Sequence, residues 1–242
     1  VVEATALHEQ VVTDILRSAF FSAGQRCSAL RVLCVQETVA EPLLEMLKGA
    51  MDTLVVGDPH WLSTDVGPVI DDRALAALQA HDEEMRRKDR LLHRARLSGG
   101  CERVSFMIPS LYRLERLDEL PGGVFGPMLH VLRWRTGELD GLIRQINATG
   151  YGLTLGIHSR IDAVVHRLAR QARVGNTYVN RDMVGAVVGS QPFGGEGLSG
   201  TGFKAGGPHY LLRFATERVL TVNTTATGGH AGLLVMGEAR NA

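Results

Sequence analysis

Cysteine is scarce in this chain. Cys27, Cys34 and Cys101 are its only three among 242 residues, and no two of them make a CxxC pair. That odd, widely spaced set excludes a disulfide framework or a zinc ribbon and fits a reducing, cytoplasmic setting. Net charge is also missing, with 26 basic residues against 26 acidic ones. No global positive field exists to recruit a nucleic acid or an anionic membrane surface. No apolar run approaches the roughly 18 residues of a membrane span, and no basic n-region or signal h-region opens the chain. The nine histidines form neither HExxH nor an i,i+4 pair, so no metal site is expected. No internal repeat is present.

What remains has an ordinary globular composition, 45% hydrophobic and 21% charged, in a chain long enough to bury a sizeable core. "VVEA" reads as the tail of a strand, and a chain that opens inside a strand reads as a piece of something longer. From His8 to Ala19 apolar residues recur at helical spacing, with Gly24 as the stop. "ALRVLCVQE" reads as a buried strand. "EPLLEMLKGAMDTL" reads as a helix with Pro42 in its first turn, where proline is tolerated. A loop over 56–68 and a helix over 71–89 follow, the latter with an acidic start and a basic end. "RLLHRARL", "RVSFMI" and "SLYRLERL" read as short strands, "PGGVFGP" as a turn and "MLHVLRWR" as a strand. Beyond it come a helix ending at Gly150, strand "GLTLGIHS", helix "RIDAVVHRLARQA" and strand "RVGNTYVNR". This alternation predicts an α/β fold with a parallel or mixed sheet and crossover helices. From Val184 to Gly207 about a third of the residues are glycine. Interleaved Val, Phe and Leu argue for a site-lining loop over a linker. The tail reads as a short helix and then strand "RVLTVNTTA", whose free edge invites pairing with another subunit.

Cys27 falls between a helix end and a strand start, the loop position where α/β folds place chemistry. Arg26 beside it would favour the thiolate, and small neighbours leave room for a substrate and for backbone N–H donors to an oxyanion. A small buried hydrophobe is the competing reading of any such cysteine, and local chemistry leaves the choice open. Cys34, inside a buried strand, fits that competing reading. Cys101 follows Gly-Gly and has no supporting context.

The runs "SAGQRCSALRVL", "VFGPMLHV", "INATGYGLTLGIHSRID", "VGNTYVNRDMVGAVVG" and "QPFGGEGLSGTG", taken in this order, resemble the C-terminal half of an aldehyde dehydrogenase. More narrowly, they resemble the L-glutamate γ-semialdehyde (Δ1-pyrroline-5-carboxylate) dehydrogenase module of the bifunctional proline-catabolic enzymes. The resemblance implies an NAD-dependent dehydrogenase in which Cys27 attacks the aldehyde, hydride leaves to NAD and water hydrolyses the acyl-enzyme. It implies substrate contacts at Arg26 and Ser28, a carboxylate anchor at Gly185 and Ala186, an aromatic wall at Phe193 and a nicotinamide-ribose contact at Phe125. FAD would belong only to an upstream proline dehydrogenase domain.

It further implies a catalytic domain over 1–207 that lacks the NAD-binding half, and a C-terminal helix, strand and tail over 208–242 used in oligomerisation. The expected partner is a small aldehyde bearing an α-carboxylate, and the full-length protein is expected to be a homo-oligomer. Two departures stand out. The family's ribose-binding glutamate falls on Gly123, which has no carboxylate. The general-base glutamate and oxyanion-hole asparagine fall before Val1, with Glu3 and Glu9 poor substitutes. The 242 residues alone are therefore expected to lack robust dehydrogenase activity and to fold poorly. Two other readings stay open: an impaired domain kept for assembly, and a thiol acyl-transferase or esterase that needs no NAD.

Overall fold

The structure is a computed structural model that describes residues 1–96, 105–120, 122–200, 202–223 and 226; Cys101 lies outside them. The first helix, α1 (His8–Ala19), buries Val11, Val12 and Ile15. It leads through a 3-10 turn (Phe21–Gly24) to strand β1 (Val32–Gln36) and helix α2 (Glu37–Met51). Helix α3 (Asp72–Arg87) is capped by the Asp71 carboxylate, which accepts from Ala74 N–H at 2.7 Å, satisfying one orphan donor of the first turn. Strands β2 (Leu91–Arg94), β3 (Ser110–Leu114) and β4 (Met128–Trp134) follow, then helix α4 (Leu139–Ala148). The last regular elements are β5 (Tyr151–Gly152), β6 (Thr154–Ile157), α5 (Asp162–Gln171), β7 (Asn176–Val179) and β8 (Glu196–Gly197).

Strands β2, β3, β4 and β1 lie side by side, with β1–β4 and β3–β4 parallel and β2–β3 antiparallel. Strands β6 and β7 form a parallel pair around the crossover helix α5. The first three residues stitch the two sheets together. Val2 N–H donates to Cys34 O (2.7 Å) and Gln36 N–H to Val2 O (3.0 Å), while Glu3 N–H donates to His158 O (3.0 Å) and His158 N–H to Val1 O (2.9 Å). Both bridges of Val2 are parallel, so β3, β4, β1, β6 and β7 all run in one direction. The mixed α/β architecture expected from the alternation is the one observed. Its core is the dense apolar β1 and β4, against which α2 lays Leu43, Leu44, Leu47 and Met51.

Several local expectations are corrected. Gly24 does not stop α1: the helix ends at Ala19, and Ser22, Ala23 and Gly24 all take positive φ, turning the chain before β1. Helix α2 begins at Glu37, so Pro42 sits in its second turn. The proline offers no N–H to the carbonyl of Thr38, one turn back, and Thr38 is exposed, where the loss of that bond costs least. "RVSFMI" is not a strand over its described residues 105–108; Pro109 next to them has no N–H for a ladder. Residues 215–223 carry no ladder, because an extended segment becomes a strand only when a neighbour supplies the other half of its hydrogen bonds.

The chain divides into two compact units, Val1–Gly207 and Pro208–Ala242. In the second, a 3-10 turn over Tyr210–Phe214 places the two terminal rings edge to face at 5.5 Å.

Candidate active site

Ordinary doubly wound sheets bind ligands outside the carboxyl ends of their strands. The loop of Cys27 is at the opposite end. It precedes β1, and the Phe125-Gly126-Pro127 turn precedes the parallel neighbour β4, so the two turns meet at the amino edge. Gly24 has φ +62°, and a Cβ there would stand 2.2 Å from Gly126 O, so glycine is required for the two backbones to come this close.

Cys27 is exposed and Cys34 is buried; burial pushes the Cys34 thiol up. Cys27 lines a cavity of about 690 Å³ together with Phe125, Gly122, Gly123, Val124, Tyr151 and Met183. The same space therefore holds the expected nucleophile, the expected cofactor contact and the glycine that replaces the family's carboxylate. Gly123 has φ +86° and only the Phe125 ring within reach of a Cβ.

The expected substrate residues do not line this cavity. Arg26 is exposed, its Nε donating to Ser22 Oγ at 2.9 Å. Ser28 is buried, and its carbonyl faces Thr154 Oγ1 at 3.5 Å. Gly185 has φ +74° and open space around it. Among the described residues neither Gly185 N–H nor Ala186 N–H has a hydrogen-bond acceptor. Phe193 is half-buried and bridges Ala205 through bonds of 3.0 and 2.9 Å. Asn176, at the start of β7, grips this loop from both sides. Its Nδ2 donates to Pro192 O (2.9 Å), and its Oδ1 accepts from Gly194 N–H (3.2 Å). A Cβ on Gly175 would stand 1.7 Å from Gly194 O. The glycine-rich zone is thus pinned to the amino edge of β7 by contacts that only glycine permits.

Glu3 is locked into the frame. Burial penalises its carboxylate, but hydrogen bonds from Thr5 Oγ1 (2.5 Å), Thr5 N–H (3.2 Å) and Ser159 Oγ (2.7 Å) outweigh that and hold its pKa below the usual range. Glu9 is exposed on α1.

Two groups near Cys27 escape the sequence reading. Arg31 is the first. Its guanidinium donates to Gly24 O (2.6 Å) and Arg26 O (3.0 Å) and sits 4.5 Å from the Phe125 ring centroid. Burial pulls it down to about 10, and the Cys27 sulfur acts in the opposite direction. Its only sequence signal is a cation at the mouth of a buried strand. The second is a buried polar cluster on α3, β3 and β4, tied to the Arg31 backbone. His81 Nε2 lies 2.9 Å from His130 Nε2, and His130 Nδ1 lies 3.2 Å from Arg31 O. That carbonyl can only accept, so His130 carries its proton on Nδ1 and accepts at Nε2 from His81. Tyr112 stacks on His130 at 5.5 Å and donates to Asp82 at 2.6 Å.

Among the described residues no cluster of three or more His, Cys, Asp or Glu is placed to hold a metal ion, and no helix is long and apolar enough to cross a membrane.

Comparison with known proteins places the chain in a family. The family profile described as "Aldehyde dehydrogenase family" matches residues 1–220. The chain is 55% identical over 223 residues to the bifunctional protein PutA of Klebsiella aerogenes, covering 90% of this chain and 17% of that protein. It is 34% identical over 218 residues to a 1-pyrroline-5-carboxylate dehydrogenase of Geobacillus sp. (strain WCH70), covering 88% of this chain and 41% of that protein. Among solved structures, a Bradyrhizobium japonicum proline utilization A mutant matches with a TM-score of 0.86 at 53% identity, over 93% of this chain and 23% of that one. A Thermus 1-pyrroline-5-carboxylate dehydrogenase with bound NAD matches with a TM-score of 0.77 at 33% identity, over 88% of this chain and 41% of that one. The chain thus spans under a quarter of the length of the PutA relatives it matches.

Proposed function

The chain belongs to the aldehyde dehydrogenase family, and from that premise we propose that the protein carrying it oxidises L-glutamate γ-semialdehyde to L-glutamate, with NAD as oxidant and Cys27 as nucleophile. The observation that carries the reading is the placement of an exposed Cys27 in one cavity with Phe125. The names of the relatives, PutA and 1-pyrroline-5-carboxylate dehydrogenase, support the substrate.

The deprotonated sulfur of Cys27 attacks the aldehyde carbon. The S–C bond forms as the carbonyl π pair moves onto oxygen, giving a thiohemiacetal oxyanion. The Cys27 backbone N–H, which has no acceptor among the described residues, would receive that charge. NAD, when bound, supplies the acceptor for the aldehyde hydrogen and its electron pair, the oxidation that leaves an acyl group on sulfur. Water then adds to the acyl carbon, the C–S bond breaks, and the thiolate returns as the carboxylate product leaves. Gly185 and Ala186 would hold the substrate's α-carboxylate through their free N–H groups, and Phe193 would pack on its methylenes, with Arg26 and Ser28 beside the nucleophile. The half-exposed Phe125 beside small, uncharged Gly122, Gly123 and Val124 fits a nicotinamide end. Gly123 offers no carboxylate to the ribose.

We also propose that residues 1–207 serve catalysis and 208–242 serve assembly. Support for the second comes from Leu211, Leu212, Phe214, Val219, Leu220 and Val222, all exposed apolar side chains, the kind of surface that another subunit covers. Sedimentation of the protein truncated after Gly207 should show a smaller oligomer.

The decisive experiment is Cys27→Ala in the full-length protein with glutamate semialdehyde and NAD. NADH formation should vanish, and activity that persists would sink the nucleophile assignment. Gly123 favours a second reading, a domain with impaired hydride transfer. Rapid ester cleavage at Cys27 with negligible NADH formation would support it.

A further inference from the structure

We propose that Arg31 is a positioning residue of this site, one that aims the backbone N–H of Cys27 at the substrate oxygen and ties the nucleophile turn to the Phe125-Gly126 turn. The inference rests on the dehydrogenase reading above.

Arg31 differs from the other half-buried arginines among the described residues. Arg90, Arg94 and Arg181 each have a carboxylate within ion-pair distance. Arg31 has no carboxylate within ion-pair distance among the described residues. Its donors go to backbone carbonyls: Nη1 to Gly24 O at 2.6 Å and Gly126 O at 3.4 Å, and Nη2 to Arg26 O at 3.0 Å. Its face covers the Phe125 ring at 4.5 Å. A guanidinium taken out of water and given only carbonyls is costly to keep, and a lysine could not reproduce its fixed fork.

The consequence follows from peptide geometry. In a trans peptide the C=O of one residue and the N–H of the next point in opposite directions. The Gly24–Gln25 peptide shows the pattern, its oxygen on Arg31 and its N–H on Ser22 O at 3.0 Å. In the Arg26–Cys27 peptide the oxygen is likewise held, by Arg31 and by Ala29 N–H at 3.1 Å. The Cys27 N–H must then point away from the guanidinium, and no acceptor among the described residues meets it. A charged donor on the carbonyl also polarises the peptide, strengthening that N–H as a donor. Through Gly126 O and Phe125, the same side chain connects this donor to the cofactor side of the cavity.

The test uses the full-length protein with Arg31→Met and Arg31→Lys, and three readouts: aldehyde oxidation, NAD-free cleavage of p-nitrophenyl acetate, and alkylation of Cys27 by iodoacetamide. Alkylation consumes the thiolate but builds no oxyanion. With Arg31→Met, kcat for both oxyanion-forming reactions should fall by roughly a hundredfold, with aldehyde KM within about threefold and the alkylation rate within about twofold. With Arg31→Lys, which cannot hold both carbonyls, ester cleavage should fall by about tenfold with alkylation again preserved. If Arg31→Met does not fold, the lysine variant decides alone. Unchanged ester cleavage, or ester cleavage and alkylation falling in parallel, would overturn the proposal and leave Arg31 a structural residue. A wild-type protein with neither Cys27-dependent oxidation nor Cys27-dependent ester cleavage would instead bring down the dehydrogenase reading itself.

Discussion

A Cβ on Gly24 would stand 2.2 Å from the carbonyl oxygen of Gly126 and 2.8 Å from that of Ala19. The turn that carries Cys27 and the turn that carries Phe125 are thus in backbone contact. Gly24→Ala must strain a residue at φ +62° and also push the two turns apart. Left-handed strain and overpacking together should cost about 3 kcal/mol. Aldehyde oxidation should be lost even where the protein still folds, as NADH formation alongside a thermal melt would show.

Gly185 has φ +74° but open space around it, so Gly185→Ala meets strain without a clash. About 1 kcal/mol of strain corresponds to about a fivefold change in an equilibrium. KM for glutamate semialdehyde should rise by that factor, while KM for an aldehyde of similar length lacking the carboxylate should not move. Equal rises for both substrates would refute the anchor role.

His130 is fully buried, and burial lowers its pKa to about 3, with His81 adding to the effect; burial lowers His81 as well. Both stay neutral in the folded state, whereas the unfolded chain takes up protons below about 6.5. The stabilising contribution is therefore complete above pH 6.5 and is lost as pH falls toward the folded value. For His130 the loss between pH 7 and pH 5.5 should be about 1 kcal/mol. His130→Gln should flatten that slope, as urea midpoints at the two pH values can check.

Asp82 is held low because hydrogen bonds from Arg94 and Tyr112 outweigh its burial. Tyr112→Phe removes one donor and leaves Arg94 in place, so a loss of about 1–2 kcal/mol is expected. Asp82→Leu, which strands both partners, should cost more. The ordering of the two melting temperatures tests the network.

Much of the fold was legible in the order of residues. The apolar periodicity of His8–Ala19 gave α1 to the residue, and the dense runs around Cys34 and Leu129 gave the central strands, because those patterns report which face each element buries. The expected strand over 218–226 was not visible in the same way as β1: its β-like composition is real, but a ladder needs a neighbour that composition does not name. The starts of α2 and of the turn before β1 were missed for a local reason. Pro42 and Gly24 are strong punctuation in isolation, yet the proline is tolerated on a helix whose Thr38, one turn back, is exposed, and Gly24 is fixed by an approach to Gly126, about a hundred positions away, that no local rule anticipates.

The sequence by itself determined the chemistry on offer: one cysteine in an unusually small-residue turn, a Phe-Gly-Pro turn, and a glycine zone whose spacing matches an aldehyde dehydrogenase. Those features are legible because each residue type answers a local requirement, a thiol among small neighbours, a rigid corner or a positive φ. Only the tertiary structure decided what stands around the sulfur. It placed Cys27 at the amino edge of β1 beside Phe125, turned Arg26 toward Ser22, and brought Arg31 onto the carbonyls of Gly24, Arg26 and Gly126. It also paired His81 with His130 across 49 positions. Such contacts depend on how β1, β4 and α3 pack, and that packing is a property of the assembled sheet.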